Sequence, residues 1–278
     1  METGLYIVAT PIGNLGDMTV RAVEVLTEVD LIAAEDTRHS RRLLQHFGID
    51  NRLMAYHDHS DHRSQQQIEE VLAEGGSVAL ISDAGTPLIS DPGYRLVRDM
   101  QALGYPVRPI PGPSAVIAAL SVCGLPTDSF RFQGFLPAKA GNRANQLQAL
   151  ESESATLVFY EAPHRIVDTL EAMAEIFGPL REAVIAREIT KTFETVRRGS
   201  LEALHTFVTE DANQQKGEIV LMVEGKAEAK LELDDYNAKL LRRLVQELPA
   251  KKAAAVVADC SGLRKKDLYN YLLSIKDD

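Results

Sequence analysis

The chain has 278 residues, of which 45% are hydrophobic and 25% charged, so it can form one large or two smaller folded cores. Its two cysteines lie far apart in sequence, which excludes a disulfide framework and fits a reducing cytoplasm. The net charge of −10 argues against RNA binding over the whole surface, because phosphate contacts need Lys and Arg. Residues 226–278 nevertheless carry 11 basic and 9 acidic side chains, so a local basic face remains open as an RNA-binding surface.

The first residues of the chain and the lengths of its apolar runs indicate the cellular compartment in which we expect the protein. Residues 1–4 lack the basic and apolar stretches of a signal peptide. No apolar run approaches the roughly 18 residues that cross a membrane. We therefore expect a cytoplasmic protein with no membrane partner.

Strands and helices alternate through the first half of the chain. Short apolar runs predict strands over residues 5–9, 31–34, 53–56, 78–81 and 107–110. Apolar side chains at helical spacing predict helices from residue 20 onwards and over about 39–47, 61–74, 93–102 and 115–122. This alternation indicates parallel βα units with helices on both faces of one sheet.

The pattern changes around residues 124–127. Strands are predicted over 131–135, 156–160, 183–188, 192–197 and 218–223, and helices over about 141–152, 164–176 and 201–209. Two strands in succession before residue 200 indicate a mixed sheet with some antiparallel pairing. Beyond a charged linker at 226–235, helices are predicted over about 236–247, 250–258 and 264–274, and the last two resemble a helix-turn-helix.

These elements predict an α/β protein with three parts. They are an N-terminal α/β domain over 1–122, a second α/β domain over 123–226 and a small C-terminal helical unit over 235–278. Each strand of the first domain ends in a polar junction, and these junctions are 10–17, 35–38, 57–61, 82–93 and 111–115. Because the carboxyl ends of parallel strands share one edge, where open α/β sheets bind ligands, we expect the site there.

The longest of these junctions, residues 82–93, is rich in Gly, Pro, Ser, Thr and Asp. Glycine lets the backbone approach a ligand closely, and proline fixes the shape of a loop. This junction is long for a connection between a strand and a helix, so we expect a ligand-binding loop, with a solvated turn as the alternative.

Familiar nucleotide and hydrolase motifs are missing from the sequence. There is no GxxxxGK[ST], GxGxxG or GxSxG pattern, which argues against a P-loop NTPase, an NAD-binding Rossmann site, the common methyltransferase version of that fold and an α/β-hydrolase. The run from His57 to His62 could hold a metal ion, but structural zinc sites have other spacings, and we expect no metal. His57, at the end of a strand, is instead a candidate acid or base, while His59 and His62 are expected in solvent.

Charged residues also cluster where buried strands surface. In Glu35-Asp36-Thr37-Arg38, Asp36 could orient a substrate or accept a proton and Arg38 could meet a phosphate, although a local salt-bridged turn is equally consistent. Similar clusters follow two later strands, at 161–165 and 187–191. Such clusters more often face a cleft than decorate a core.

Taken in order, these junctions resemble the tetrapyrrole methylase superfamily of S-adenosylmethionine-dependent methyltransferases over about residues 4–225. The motifs that carry the resemblance are 9–15, 34–38, 82–93, 111–115, 134–137, 163–165 and 187–191. The resemblance implies two α/β domains with the methyl donor in the cleft between them, and a homodimer. The donor contacts it implies are Pro11, Gly85, Thr86, Ile89, Ser114, Ala115 and Thr190, with Glu161 as a weaker one. Relatives often have Gly-Asp-Pro where this chain has Gly85-Thr86-Pro87, so Asp83 or Asp91 could replace that aspartate.

Within the superfamily the chain resembles the branch that methylates a cytidine ribose 2′-hydroxyl in small-subunit ribosomal RNA. The partner implied is that RNA or the 30S subunit. Asp36, His57 and Glu188 are candidates for accepting the hydroxyl proton, while Lys191 or Arg38 could steady a phosphate. In the net-positive tail, Arg264, Lys265 and Lys266 are further candidate RNA contacts. The alternatives are a methyltransferase acting on a tetrapyrrole or another small molecule, and a non-catalytic RNA-binding protein.

Overall fold

The computed structural model describes residues 1–57, 62–227 and 233–275, with only the backbone of His62. These residues fall into two compact units, Met1–Lys226 and Ala227–Asp278. In the described residues the first unit contains two five-stranded sheets and the second contains three helices. No helix in the described part of the chain has both the length and the apolar character needed to span a bilayer.

The first sheet is parallel throughout, as the alternation predicts. Its strands are β1 (Gly4–Val8), β2 (Leu31–Ala34), β3 (Leu53–Ala55), β4 (Ser77–Ile81) and β5 (Val107–Ile110), in the order β3-β2-β4-β1-β5. The helices that follow them in turn are α1 (Val20–Glu28), α2 (Thr37–His46), α3 (His62–Ala73), α4 (Tyr94–Ala102) and α5 (Ala115–Val122). The order places β1 between β4 and β5, which decides which junctions become neighbours.

The apolar runs of the first sheet are explained by burial on both faces. In β1, Tyr6 and Val8 pack into the core on one face while Leu5 packs into the core on the other. In β2, Ile32 packs into the same core as Tyr6 and Val8, and Leu31 packs into the core that contains Leu5. Because side chains alternate along a strand, a strand covered on both faces needs an unbroken apolar run.

The second sheet contains both parallel and antiparallel strand pairs, which confirms the mixed sheet predicted from the sequence. Its strands are β6 (Phe130–Phe135), β7 (Thr156–Glu161), β8 (Glu182–Arg187), β9 (Thr195–Ser200) and β10 (Ile219–Val223), in the order β6-β7-β10-β8-β9. Only β6 and β7 pair in parallel, and the other three pairings are antiparallel. The helices of this half are α6 (Ala140–Leu150), α7 (Ile166–Phe177) and α8 (Leu201–Glu210).

The predicted strand at 192–197 is wrong at its start, because residues 188–194 form a turned loop. The Lys191 and Glu194 amides donate to the carbonyls of Glu188 and Lys191, at 3.0 and 3.1 Å. The buried guanidinium of Arg187 holds the far end of this loop by donating to the Phe193 carbonyl at 3.0 Å. Turn hydrogen bonds within the loop therefore replace strand pairing until β9 begins.

Helix α5 joins the two halves of the first unit. Its Val116, Ala119 and Leu120 pack against Val158 and Val184 on the second sheet. By chain order α5 completes the first half, yet its apolar side covers the other sheet. The predicted domain boundary at 122/123 stays a prediction.

The C-terminal unit is a three-helix cluster with its own core. Its helices are α9 (Asp235–Leu244), α10 (Ala250–Ser261) and α11 (Lys265–Ser274), and residues 228–232 of the predicted linker lie outside the described part of the chain. Leu241, Ala254, Val257 and Leu268 are buried together at the centre. A short turn joins α10 to α11, as expected for a helix-turn-helix.

Candidate functional site

A pocket of about 380 Å³ opens within the first unit, at the carboxyl ends of strands from both sheets. Its first wall is made by Ile12 after β1, residues 84–86 and 89–91 after β4, and residues 114–115 after β5. Its second wall is made by Phe135 on β6, residues 160–163 at the end of β7, Ala186 and Ile189 around the end of β8, and residues 217–220 at the start of β10. The volume is within the range of small-molecule sites.

Strand order explains the first wall. Because β4, β1 and β5 are neighbours, their three junctions meet at one edge. The backbones of Thr10 and Gly85 exchange hydrogen bonds of 2.9 and 3.0 Å, which ties the β1 and β4 junctions together. The Thr86 hydroxyl donates to the Pro113 carbonyl at 3.0 Å and ties the β4 and β5 junctions in the same way.

The second wall depends on the antiparallel orientation of β10. Ile219 pairs with Glu161 of β7 on one side and with Arg187 of β8 on the other. The amino end of β10 therefore lies beside the carboxyl ends of its neighbours, which brings Gly217 and Glu218 into the lining. Residues at the start of a strand thus become part of a site formed mostly by strand ends.

The β4 junction holds a strained backbone conformation beside the pocket. Leu88 and Ser90 have φ angles of 72° and 66°, which non-glycine residues rarely adopt. Ser90 lies against the second sheet, since a Cβ on Gly134 would stand 3.3 Å from its Oγ. Strain of this kind concentrates at ligand-binding sites and is held in place by surrounding contacts.

The described lining residues include acidic side chains but no Lys or Arg. Glu161 is buried, and its carboxylate lies 3.1 Å from Arg165 and accepts the Thr169 hydroxyl at 2.6 Å. It therefore braces the end of β7. Glu218 is largely exposed and pairs with Lys191 at 2.8 Å.

Asp91 and Tyr160 are half-buried residues that face the pocket from opposite walls. Burial raises the pKa of Asp91, and nearby Asp83 raises it further, against an opposing hydrogen bond with Ser82. Burial also raises the pKa of Tyr160 to about 12, with a further contribution from Asp91. At neutral pH Tyr160 therefore keeps its proton.

The structure brings together six of the residues expected to contact a methyl donor. They are Gly85, Thr86, Ile89, Ser114, Ala115 and Glu161. Pro11 precedes the lining residue Ile12, and Asp83 points its carboxylate elsewhere, accepting the Asp36 amide at 3.1 Å. Thr190 has a φ angle of 66° and a buried hydroxyl that makes no hydrogen bond among the described residues.

The candidate catalytic residues are outside the lining, and their roles stay predictions. Asp36 caps the start of α2 by accepting the Arg38 and His39 amides at 2.8 and 3.4 Å, and these bonds hold its pKa below the usual value. His57 follows β3, an edge strand far from β1 in the sheet order. Within the described residues no cluster of three or more possible metal ligands is found, and residues 58–61, which include His59, lie outside them, as does the side chain of His62.

Glu188 and Lys191 neutralise each other. Lys191 Nζ lies 2.9 Å from Glu188 Oε1 and 2.8 Å from Glu218 Oε2. Burial acts to raise the pKa of Glu188 and to lower that of Lys191, but the hydrogen bonds outweigh it, so the pKa of Glu188 falls and that of Lys191 rises. A carboxylate with a lowered pKa is a weak proton acceptor, which disfavours Glu188 as a general base.

Lys191→Met is expected to lower the free energy of unfolding by roughly 1 kcal/mol at neutral pH. The methionine keeps the stem that packs against Gly13, where a Cβ would lie 2.5 Å from the Lys191 side chain. The loss should be greatest between pH 4.5 and 10.5, the ordinary pKa values of the two groups. Below that window Glu188 becomes protonated, above it Lys191 loses its proton, and the pair then contributes nothing.

Urea unfolding of the wild-type protein and of Lys191→Met at several pH values measures the difference in their free energies of unfolding. Lys226→Met is the matched control, because Lys226 pairs with Glu151 on an exposed surface where little stability is at stake. An equal loss from both substitutions, or a loss independent of pH, would contradict the stabilising role of the partly buried Lys191–Glu188 pair.

Several lining residues were missed from the sequence. Tyr160 lies near the end of β7, so the rule that selected the other junctions could have selected it. Ile12 and Phe135 fall within the junction 10–17 and the motif 134–137, but were not singled out there. Gly217 and Glu218 precede a strand, and nothing in the local pattern marks them.

Residues 4–205 match the family of Tetrapyrrole (Corrin/Porphyrin) Methylases. The chain belongs to the tetrapyrrole methylase family. Residues 234–276 of this methylase also match the RsmI C-terminal HTH domain.

Curated relatives of this methylase are similar over nearly the whole chain. It is 54% identical to Ribosomal RNA small subunit methyltransferase I of Pseudomonas aeruginosa, over 97% of this chain and 96% of that protein. It is 52% identical to the protein of the same name from Escherichia coli O157:H7, over 97% of this chain and 94% of that protein.

Solved structures show that the fold is shared more widely. Uroporphyrin-III-C-methyltransferase from Thermus thermophilus superposes with a TM-score of 0.57 at 21% identity, over 80% of this chain and 94% of that one. Diphthine synthase superposes with a TM-score of 0.60 at 19% identity, over 80% and 90%. At this identity the similarity concerns the fold alone.

Proposed function

We propose that this methylase transfers a methyl group from S-adenosylmethionine to the 2′-hydroxyl of a cytidine ribose in small-subunit ribosomal RNA. The observation that carries the proposal is the 54% identity, over 97% of the chain, to a protein named Ribosomal RNA small subunit methyltransferase I. The match of residues 234–276 to the C-terminal domain of the same kind of protein supports it.

The pocket has features that suit the methyl donor. S-adenosylmethionine supplies a methyl group on a positively charged sulfonium, which is already electrophilic, and the described lining is acidic with no Lys or Arg. The buried Thr190 hydroxyl lacks a partner among the described residues, as a group awaiting a ligand would. Gly85, Thr86, Ser114 and Ala115 would hold the donor from the first wall, with Ile89 and Pro11 beside them.

The chain's own task in such a reaction is positioning and proton removal. The two walls enclose the pocket, so they can exclude water and align the ribose oxygen with the methyl carbon. A ribose hydroxyl is a poor nucleophile while it keeps its proton, so an acceptor at the site should accelerate transfer.

Basic side chains are proposed to hold the RNA. Arg264, Lys265 and Lys266 are exposed at the start of α11, in the unit that resembles a helix-turn-helix. Arg38, whose side chain is 91% exposed, would add a contact from the first unit. Cations at such positions bind phosphates without reading sequence.

A homodimer acting in the cytoplasm completes the proposal. Helix α5 leaves Ile117 and Val122 more than half exposed beside its buried face. A second copy of the chain would cover apolar side chains of this kind.

The proposed function is tested by methyl transfer from isotopically labelled S-adenosylmethionine. The acceptors are 30S subunits and naked 16S rRNA from cells that lack this protein, together with a uroporphyrinogen as the tetrapyrrole alternative. We expect label in one cytidine ribose, located by mass spectrometry of nuclease fragments. Label in the tetrapyrrole, label on a base, or RNA binding without transfer would contradict the proposal.

A further inference from the structure

Asp91 differs from the other acidic side chains of the pocket in having no basic partner among the described residues. Glu161 is held by Arg165, and Glu218 pairs with Lys191. Asp91 lines the pocket without an ion pair to any residue that the structure describes, and polar groups near it include Ser82, Asp83 and Tyr160. It is therefore the carboxylate of the described lining that no basic side chain neutralises, and beyond its hydrogen bond with Ser82 it keeps lone pairs for a substrate.

The two aspartates of the β4 junction have separate tasks. Asp83 accepts the backbone amide of Asp36 at 3.1 Å and so braces the junction against α2. Asp91 follows the strained residues Leu88 and Ser90, which turn the chain so that residue 91 enters the lining. One loop thus carries a structural acid and an acid that faces the pocket.

We propose that Asp91 is the general base of the methyl transfer, a role that rests on the proposed function. As the ribose oxygen bonds to the methyl carbon, the O–H bond breaks and the proton passes to the Asp91 carboxylate. The carbon–sulfur bond breaks at the same time, and its electron pair stays on sulfur, which becomes neutral. Asp91 ends as a neutral carboxyl and returns its proton to water before the next turnover.

The surroundings of Asp91 suit this task. Burial and the negative charge of Asp83 shift its pKa upward, towards the range in which a carboxylate accepts a proton effectively near neutral pH. Tyr160, the titratable group facing it from β7, stays protonated, and Glu218 lies near that tyrosine. The hydrogen bond with Ser82 opposes the upward shift of the Asp91 pKa without reversing it, and the described lining has no basic side chain that would oppose it further.

Asp91→Asn is the decisive variant. We expect its single-turnover rate with 30S subunits or rRNA to fall at least about 100-fold, as for loss of a general base. Its dissociation constant for S-adenosylmethionine, measured by calorimetry, should stay within about twofold of the wild-type value, which also shows that the pocket is folded. The wild-type rate should rise with pH as Asp91 loses its proton and then level off, and the variant should lack this rise.

Three further substitutions test whether Asp91 acts as the base or in another role. Asp83→Asn keeps an oxygen for the Asp36 amide but removes a negative charge near Asp91, so the rise in rate should move to lower pH. Asp128→Asn removes an exposed acid far along the chain from this junction and should leave rate and pH profile unchanged. Asp91→Ala should regain activity in proportion to added formate, because formate can occupy the vacated space and accept the proton.

The experiments distinguish a failure of the role of Asp91 from a failure of the proposed function. A rate for Asp91→Asn within about threefold of wild type, or a pH profile that keeps its rise, overturns the role of Asp91 while leaving the proposed function intact. A parallel loss of donor affinity and rate makes Asp91 a donor contact and also overturns it. If the wild-type protein itself transfers no methyl group to RNA, the proposed function fails and the base assignment fails with it.

Discussion

Gly85→Val is expected to weaken binding of S-adenosylmethionine at least tenfold, a loss of about 1.4 kcal/mol or more. Gly85 has a φ angle of 82°, lines the pocket and pairs with Thr10 through its backbone. A Cβ there would stand 3.3 Å from Ile12 Cγ2, so a branched side chain must displace the wall formed by the β1 junction. Calorimetric titration with the donor measures the loss.

The matched control is Gly104→Val. Gly104 has a φ angle of 84°, close to that of Gly85, but nothing lies within 4 Å of the position of its Cβ. Both variants should therefore lose roughly 1–3 kcal/mol of stability to backbone strain, measured by urea unfolding. Only Gly85→Val should lose donor affinity, and equal donor affinities in the two variants would show that the β4 junction does not form the donor site.

Removal of residues 227–278 is expected to weaken binding of small-subunit rRNA at least tenfold while leaving the donor dissociation constant within about twofold. The pocket and both sheets belong to the unit Met1–Lys226, and among the described residues its cores are built without the C-terminal helices. The C-terminal helices carry the net-positive part of the chain. Filter binding with rRNA and calorimetry with the donor measure the two affinities, and equal RNA affinity with and without the tail would refute its role.

Replacing Arg264, Lys265 and Lys266 together by Ala tests whether the RNA binding of the C-terminal unit depends on the basic residues at the start of α11. The three side chains are exposed, so the C-terminal core around Leu268 should survive their loss. If they contact phosphates, the slope of log affinity against log salt should become shallower by up to about three. An unchanged slope would place the RNA contacts of the C-terminal unit elsewhere.

The sequence by itself determined nearly all of the elements and the sheet edge at which the pocket opens. Apolar runs such as 78–81 and helical spacing are local signals, because a buried strand or an amphipathic helix shows its environment in its own residues. The polar junctions after β1, β4 and β5 could be recognised in the same way, and Gly85, Thr86, Ser114 and Ala115 do line the pocket.

Only the tertiary structure decided which of the junctions after the strands line the same pocket. Asp36 and His57 follow strands as Thr86 does, but β2 and β3 lie to one side in the order β3-β2-β4-β1-β5, and neither residue is in the described lining. In the second sheet, the antiparallel orientation of β10 brings Glu218 to the pocket, although this residue precedes a strand. Strands that are apolar throughout carry no local mark of their neighbours, because pairing partners are chosen by burial and hydrogen bonding between segments distant in the chain.

The surroundings of the charged residues were also decided by the tertiary structure. Asp83 and Asp91 are alike in sequence, eight positions apart in one loop, and both were open as donor contacts. The structure distinguishes them, since the backbone amide of Asp36 donates a hydrogen bond to the carboxylate of Asp83, while Asp91 faces the pocket. Which charge is neutralised and which stays available depends on partners brought close only by folding, and a carboxylate's chemistry follows from those partners.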